Sequence, residues 1–177
     1  MNTNAKVSPT SMIARNATIV GDVTIGENCT ILFNATMRGD FGGRIVVDDG
    51  ANIQENCCLH VNDNGLTYVG RNVTVGHGAI LHGCTIGENS LIGMGAIVID
   101  GARVGKNCFI GAGSLVTGTA DIPDGMLAFG SPARAIRPLK EAELAELLSS
   151  AESYVHVGRD LVKQGVLLQG ELPSPCK

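Results

Sequence analysis

The sequence contains few aromatic residues: tryptophan is absent, and Phe, Tyr and Trp together make up only 3% of the 177 residues. An ordinary globular core depends on large aromatic side chains, so this chain must bury its aliphatic residues in some other regular way. Glycine, in contrast, is abundant, with 24 residues. The length suits one compact domain with a short extension.

Long apolar runs and basic clusters are also missing. No apolar run approaches the roughly 18 residues that are needed to cross a bilayer. The 13 Lys and Arg residues are scattered through a chain of net charge −4, which disfavours a nucleic-acid-binding surface. Residues 1–10 are polar and contain no apolar signal core. We therefore expect a cytoplasmic protein that binds neither nucleic acid nor membranes.

The six cysteines show no C-x-x-C spacing, and the adjacent Cys57 and Cys58 do not form a usual disulfide framework. We interpret the cysteines as reduced thiols that pack as small hydrophobic residues, in preference to a metal or redox role.

Aliphatic residues recur at every sixth position, and we call them rung residues. Interruptions fall at 39–44 and 61–68. The rung residues are Ile13, Ile19, Ile25, Ile31, Met37, Val47, Ile53, Leu59, Val69, Val75, Leu81, Ile86, Ile92, Val98, Val104, Ile110, Val116 and Ile122. A six-residue step fits a triangular coil with three flat sides and 18 residues per turn, in which neighbouring strands lie about 4.8 Å apart. Glycine supplies the positive φ angles that tight corners need.

The fourth residue after a rung is expected to be small and to point inward. These positions hold Val23, Cys29, Ala35, Cys57, Val73, Ala79, Ser90, Ala96, Ala102, Cys108 and Ser114. The pattern is similar to the hexapeptide-repeat family, so we predict a mainly β fold, a left-handed parallel β-helix over residues 1–138. A helical periodicity over residues 139–164 predicts a C-terminal α-helix packed on the coil. That stripe consists of Leu144, Leu147, Leu148, Ala151, Tyr154, Val155, Leu161 and Val162. Residues 165–177 form a tail with no clear element.

Three of the four histidines lie between residues 60 and 82. His60 and His82 each follow a rung residue directly and have the same phase on adjacent coils, so their imidazoles can converge on one ion at about 2.0–2.1 Å. Arg38 occupies the same column one coil earlier. His77 lies around a corner and is poorly placed to join the pair within one subunit. A three-fold assembly would resolve this, which predicts a homotrimer with three inter-subunit sites.

Three neutral imidazoles suit Zn²⁺ with an open fourth position, and Fe²⁺ or Co²⁺ would also fit. The alternative is that the three histidines are separate polar residues on a solvated face. His156, in the predicted helix, is expected to be structural or at the surface.

Several segments resemble the motifs of gamma-class carbonic anhydrases. They are Met37-Arg38-Gly39-Asp40, Asn52-Ile53-Gln54-Glu55-Asn56, Leu59-His60, Gly76-His77 and Leu81-His82-Gly83-Cys84. The resemblance covers nearly all of the chain and is closest to the bacterial branch that includes a phenylacetate-pathway thioesterase and a carnitine-associated protein. It implies that His60, His77 and His82 are zinc ligands at the interfaces of a homotrimer.

The resemblance also implies roles for neighbouring residues. Gln54 would orient the nucleophile by hydrogen bonding, although an ordinary surface amide is the alternative. Arg38 and Asp40 would form an inter-subunit ion pair beside the site, with a purely structural pair as the alternative. Supporting roles fall to Glu55, Asn52 and Tyr154.

The implied activity is the reversible hydration of CO₂ to bicarbonate, because a tri-histidine Zn²⁺ lowers the pKa of bound water to about 7. Phe41 stands where the best-studied relatives have Glu, and the short 61–68 loop has Asp63 as its sole carboxylate, so we expect slow proton export. The alternatives are a metal-dependent acyl-CoA thioesterase, then a hexapeptide acyltransferase that uses coenzyme A, or an assembly protein with a degenerate site.

Overall fold

The computed structural model describes residues 4–173, which form 20 β-strands and one α-helix, α1 (Glu141–Lys163). The strands are β1 (Lys6–Val7), β2 (Met12–Ala14), β3 (Thr18–Ile25), β4 (Thr30–Ile31), β5 (Thr36–Val47), β6 (Asn52–Ile53), β7 (Cys58–His60), β8 (Leu66–Val69), β9 (Thr74–Val75), β10 (Ile80–His82), β11 (Thr85–Ile86), β12 (Leu91–Ile92), β13 (Ile97–Val98), β14 (Arg103–Val104), β15 (Phe109–Ile110), β16 (Leu115–Val116), β17 (Asp121–Ile122), β18 (Met126–Gly130), β19 (Ala133–Pro138) and β20 (Leu167–Gln169).

Most strands are only two or three residues long, because each six-residue side of the coil also has to turn a corner. Strands one coil apart pair in parallel, as the six-residue step predicted. An 11-stranded sheet provides two sides of the prism and is continuous where the long strand β5 passes from one side to the next. A 9-stranded sheet provides the third side. The predicted parallel β-helix with a C-terminal helix is confirmed.

The interior of the coil is built from the rung residues, none of which is more than 9% exposed. The small residues four positions later are also buried, at 2% exposure or less. Cys29, Cys57 and Cys108 are among them, which confirms their interpretation as packing residues. Cys84 is buried too, Cys58 is exposed, and Cys176 lies outside the described residues.

Asparagine occupies several corners of the coil, where its backbone adopts the left-handed conformation. This conformation costs most L-residues about 1–2 kcal/mol. Asn72, Asn89 and Asn107 stack on successive coils with φ between 53° and 59°. Their side-chain amides form a ladder, in which Asn72 donates to Asn89 at 3.1 Å and Asn89 donates to Asn107 at 3.2 Å. Asparagine tolerates this conformation better than other non-glycine residues, so the corners favour it.

Both ends of the 9-stranded sheet are closed by antiparallel strands. At one end β19 pairs with β18, and at the other β20 pairs with β2. The expectation that residues 165–177 hold no element is therefore wrong for Leu167–Gln169. The first coil would otherwise present an unpaired edge at β2, and the returning chain covers it.

Two further expectations concern the interruption at 39–44 and the helical stripe. The interruption expected at 39–44 is a bulge within β5: the pairing with β3 passes from Gly21–Gly39 directly to Asp22–Arg44, so residues 40–43 have no partner in β3. In the helix, Leu147 and Ala151 are buried against the coil as expected, whereas Leu148 is 48% exposed. Gly158 is buried as well, and a Cβ there would meet the Met12 side chain, so close helix packing requires glycine.

Within residues 4–173 no helical segment combines the length and the apolar character that a bilayer span requires.

Candidate metal centre

His60 and His82 lie side by side on adjacent parallel strands. In the register, Arg38 of β5 pairs with His60 of β7, and His60 pairs with His82 of β10. The Nδ1 atom of His60 faces the Nε2 atom of His82 at 2.9 Å, with ring centroids 4.9 Å apart. The predicted column is confirmed. Two nitrogens bound to one tetrahedral zinc at about 2.0–2.1 Å would lie about 3.3 Å apart, so a small separation of the rings would admit the ion.

Each of these two imidazoles also contacts a carboxylate. The Nε2 atom of His60 lies 3.4 Å from Asp40 Oδ1, and the Nδ1 atom of His82 lies 2.7 Å from Asp100 Oδ2. Metal-ligating histidines usually donate their other ring N–H to such a group, which fixes the ring. His60 Nδ1 and His82 Nε2 are then the nitrogens left to bind an ion. We call His60, His82 and these carboxylates the paired-histidine half-site.

His77 lies in the corner after β9 and belongs to a different cluster. Its Nδ1 atom lies 2.6 Å from Glu55 Oε2, which leaves Nε2 as its free ring nitrogen. His77 precedes His82 by five residues along one side of the prism, a span of about 16 Å in extended chain. Among residues 4–173 no three His, Cys, Asp or Glu side chains converge as one metal-binding group. We call His77 and Glu55 the single-histidine half-site.

Asn52 and Gln54 form a buried amide network next to the single-histidine half-site. Asn52 Nδ2 donates to Thr74 Oγ1 at 2.9 Å, and Gln54 Nε2 donates to Asn52 Oδ1 at 3.1 Å. Gln54 is only 3% exposed, so its interpretation as an ordinary surface amide is wrong. Tyr154 of α1 lies against this network: burial raises its phenol pKa, the charge of Glu55 acts in the same direction, and a hydrogen bond with Gln54 opposes both.

Arg38 and Asp40 form an ion pair of 2.7 Å within the chain. The two residues lie two positions apart on β5 and project from the same side of the strand, and an ion pair between subunits stays a prediction. Partial burial acts to raise the pKa of the Asp40 carboxyl, but the hydrogen bond and charge of Arg38 outweigh it and hold that pKa below its ordinary value. Asp40 is thus a stable anion between Arg38 and His60.

The backbone next to Asp40 opens into a cavity of about 540 Å³. Phe41 lines it with φ +51° and 75% of its surface exposed, and Gly39, Gly42 and Gly43 provide much of the remaining wall. No carboxylate stands at position 41, where the resemblance would place a glutamate.

Asp100 is a site residue that the sequence reasoning missed. Besides contacting His82, its carboxylate accepts a hydrogen bond of 2.8 Å from Asn62 Nδ2 in the loop after His60. The sequence could have indicated Asp100 through its position one coil beyond His82. That place was obscured because Leu81 pairs with Val98, 17 positions later, instead of 18.

A column of outward-facing apolar residues covers the side of the prism that separates the two half-sites. Cys58, Ile80, Ile97 and Leu115 stand in register on successive strands. Ile80 is 40% exposed, and Met94, one coil above His77, is 60% exposed. We call Cys58, Ile80, Ile97 and Leu115 the apolar face.

Comparison with known proteins places this geometry in context. A family model described as Bacterial transferase hexapeptide (six repeats) matches residues 83–118. The chain is 44% identical over 155 residues to the "Probable carbonic anhydrase" of Methanocaldococcus jannaschii, covering 88% of this chain and 97% of that protein. It is 40% identical over 154 residues to the "Carnitine operon protein CaiE" of Escherichia coli O157:H7, covering 86% and 78% of the two chains.

Among solved structures, the chain is similar to a hexapeptide transferase family protein from Anaplasma phagocytophilum. The TM-score is 0.84 at 42% sequence identity, over 88% of this chain and 92% of that one. Identity of this level over nearly the whole of both chains, together with the shared coil, means that the chain belongs to the gamma carbonic anhydrase-like family of hexapeptide-repeat proteins.

Proposed function

We propose that the protein is a homotrimeric, zinc-dependent carbonic anhydrase that hydrates CO₂ reversibly to bicarbonate. The observation that carries the proposal is which ring nitrogen of each of the three imidazoles contacts a carboxylate and which is left to bind an ion. His60, His77 and His82 each have one ring nitrogen next to a carboxylate oxygen and the other turned away from it. This donor set fits Zn²⁺, and it would also accept Fe²⁺ or Co²⁺.

The proposed trimer follows from the separation of the half-sites. The single-histidine half-site and the paired-histidine half-site lie at opposite ends of one prism side, so one chain cannot complete the centre. The apolar face between them gives copies of the chain a reason to associate, because burying its exposed Ile80 side chain is favourable. A three-fold arrangement brings His77 of one subunit against His60 and His82 of the next.

When bound, Zn²⁺ held by three imidazoles would lower the pKa of water to about 7 and so supply a nucleophile near neutral pH. The residues of this chain would do the rest. Asn52 holds the amide of Gln54 in a fixed plane, which leaves the Gln54 Oε1 atom as an acceptor. Asp40, held as an anion by Arg38, orients His60.

The proton released in each turnover has few carriers nearby. Phe41 has no ionisable group, and the 61–65 loop offers only Asp63. We therefore expect proton release to limit turnover, so that the rate rises with the concentration of a small imidazole buffer.

A stopped-flow CO₂ hydration assay tests the proposal, using zinc-loaded and iron-loaded protein with His82→Ala as the matched control. The expected result is a rate well above that of the control, about one zinc per chain, and acceleration by buffer. Rates equal to the control in both metal forms would refute the CO₂ reaction.

A metal-dependent acyl-CoA thioesterase is the second candidate, favoured by the cavity next to Asp40 and Phe41. A volume of about 540 Å³ far exceeds what CO₂ requires. Release of free thiol from a panel of acyl-CoA compounds, again compared with His82→Ala, separates the two reactions.

A further inference from the structure

The corner that follows His82 is one residue shorter than the corner stacked on it. The rung residues Leu81 and Ile86 are five positions apart, whereas their partners Val98 and Val104 are six apart. The extra residue of the upper corner is accommodated between Ile99 and Ala102, which places Asp100 directly over Gly83.

Gly83 leaves the space that the Asp100 side chain occupies. It has φ +56°, and a Cβ atom at this position would overlap the Asp100 carboxylate. The backbone on both sides is also tied down: Gly83 N–H donates to Thr67 Oγ1 at 2.9 Å, and Gly101 N–H donates to Gly83 O at 2.9 Å. The short corner at Gly83 therefore leaves room for the Asp100 carboxylate and is held in place by hydrogen bonds on both sides.

Both oxygens of that carboxylate have partners on two different coils. Oδ2 lies 2.7 Å from His82 Nδ1, and Oδ1 accepts a 2.8 Å hydrogen bond from Asn62 Nδ2. Asn62 belongs to the loop below, and it reaches Asp100 across the intervening short corner. With both oxygens engaged, the carboxylate has a single orientation relative to the His82 ring.

We propose that Asp100 is the positioning residue of His82 and that Asn62 holds Asp100 in place. The carboxylate keeps the proton of His82 on Nδ1 and turns Nε2 toward His60. Among residues 4–173, the side-chain hydrogen-bond partners of Asp100 are His82 and Asn62, so its link to the pair of histidines runs through His82. The inference rests on the proposed function in one respect, that His82 is a metal ligand.

The test compares Asp100→Ala and Asn62→Ala with Asp121→Ala, a control in which an exposed aspartate loses its ion pair with Arg103 on another side of the prism. Zinc affinity is measured by competition with a chelating dye. We expect Asp100→Ala to weaken it about 10–100-fold and Asn62→Ala to weaken it less, because outer partners of ligating histidines have effects of this size. Asp121→Ala should leave it unchanged, and thermal midpoints show whether each variant is folded.

A second measurement needs no metal. Nitrogen NMR of histidine-labelled, metal-free protein should show His82 protonated on Nδ1 in the wild type and in Asp121→Ala, with that preference lost in Asp100→Ala. An unchanged tautomer in Asp100→Ala would overturn the proposal, as would unchanged zinc affinity. A wild-type protein that binds zinc without hydrating CO₂ would refute the proposed reaction and leave the role of Asp100 supported by these two readouts.

Discussion

At the scale of single residues, the coil determines the chemistry of its cysteines. Cys29, Cys57 and Cys84 stand in the prism interior, where loss of solvation raises the pKa of each thiol. The pKa of Cys29 and of Cys84 rises to about 12, and that of Cys57 rises to about 11. A thiol with such a pKa is inert at neutral pH, because the thiolate is the nucleophile.

Thiol labelling tests this directly. In a Cys58→Ser/Cys176→Ser variant, we expect no native thiol to react with a disulfide reagent at pH 8. At most about one in a thousand of the Cys29, Cys57 and Cys84 thiols is ionised three units below its pKa, and burial raises the pKa of Cys108 as well. All four remaining cysteines should react after denaturation. Native labelling at the rate of a free peptide thiol would contradict the assignment.

Some residues of the candidate site could be placed from the sequence, and others could not. His60 and His82 could be placed in register because both directly follow a rung residue. Asp100 could not, since its contact depends on a corner that is one residue short and on a side chain reaching across it. The burial of Gln54 was equally hidden, because it results from helix α1 covering the network that Gln54 forms with Asn52.

At the scale of elements, the start of α1 is tied to the last strand of the coil. Arg137 of β19 donates two hydrogen bonds to the Glu143 carboxylate, at 2.8 and 2.7 Å, and the Lys140 N–H donates a third at 2.8 Å. The hydrogen bonds from Arg137 and from the Lys140 backbone together lower the pKa of Glu143 to about 2. These contacts fix the start of α1, the helix whose Tyr154 forms a hydrogen bond with Gln54.

We expect Glu143→Gln to lower the thermal midpoint at pH 7, with Glu146→Gln as an exposed control on the same helix. A depressed pKa means that the charged form stabilises the folded state. The difference from wild type should therefore persist above pH 4.5, the ordinary value, and shrink as the pH falls from there toward 2. Thermal unfolding between pH 7 and pH 3 measures it, and a difference independent of pH would contradict the role of the charge.

The elements also show where a periodic pattern stops being informative. A six-residue step identified the sides of the coil, because each rung repeats the same inward position. It could not identify β20, whose three residues follow no repeat and become a strand only because the β2 edge lies next to them. The step did locate the interruption at 39–44, where residues 40–43 bulge out of the pairing between β3 and β5.

At the scale of the whole molecule, the two half-sites at opposite ends of one prism side allow a test of how the centre is assembled. In the proposed trimer, each centre takes His60 and His82 from one subunit and His77 from the next. A His77→Ala chain therefore still supplies the pair, and a His82→Ala chain still supplies the single histidine. Neither variant forms a complete centre alone, but a mixed trimer contains one complete centre at the correctly ordered interface.

Co-expression of the two variants with different affinity tags measures this outcome. Random assembly of equal amounts makes about three quarters of the trimers mixed, each with one intact centre of three, so the total zinc content and hydration rate should be about one quarter of wild type. The control is a mixture of the two variants that were folded separately and do not exchange subunits. This mixture should show neither bound zinc nor CO₂ hydration. If all three histidines came from one chain, no combination of these variants could restore a centre, because every chain would lack one ligand.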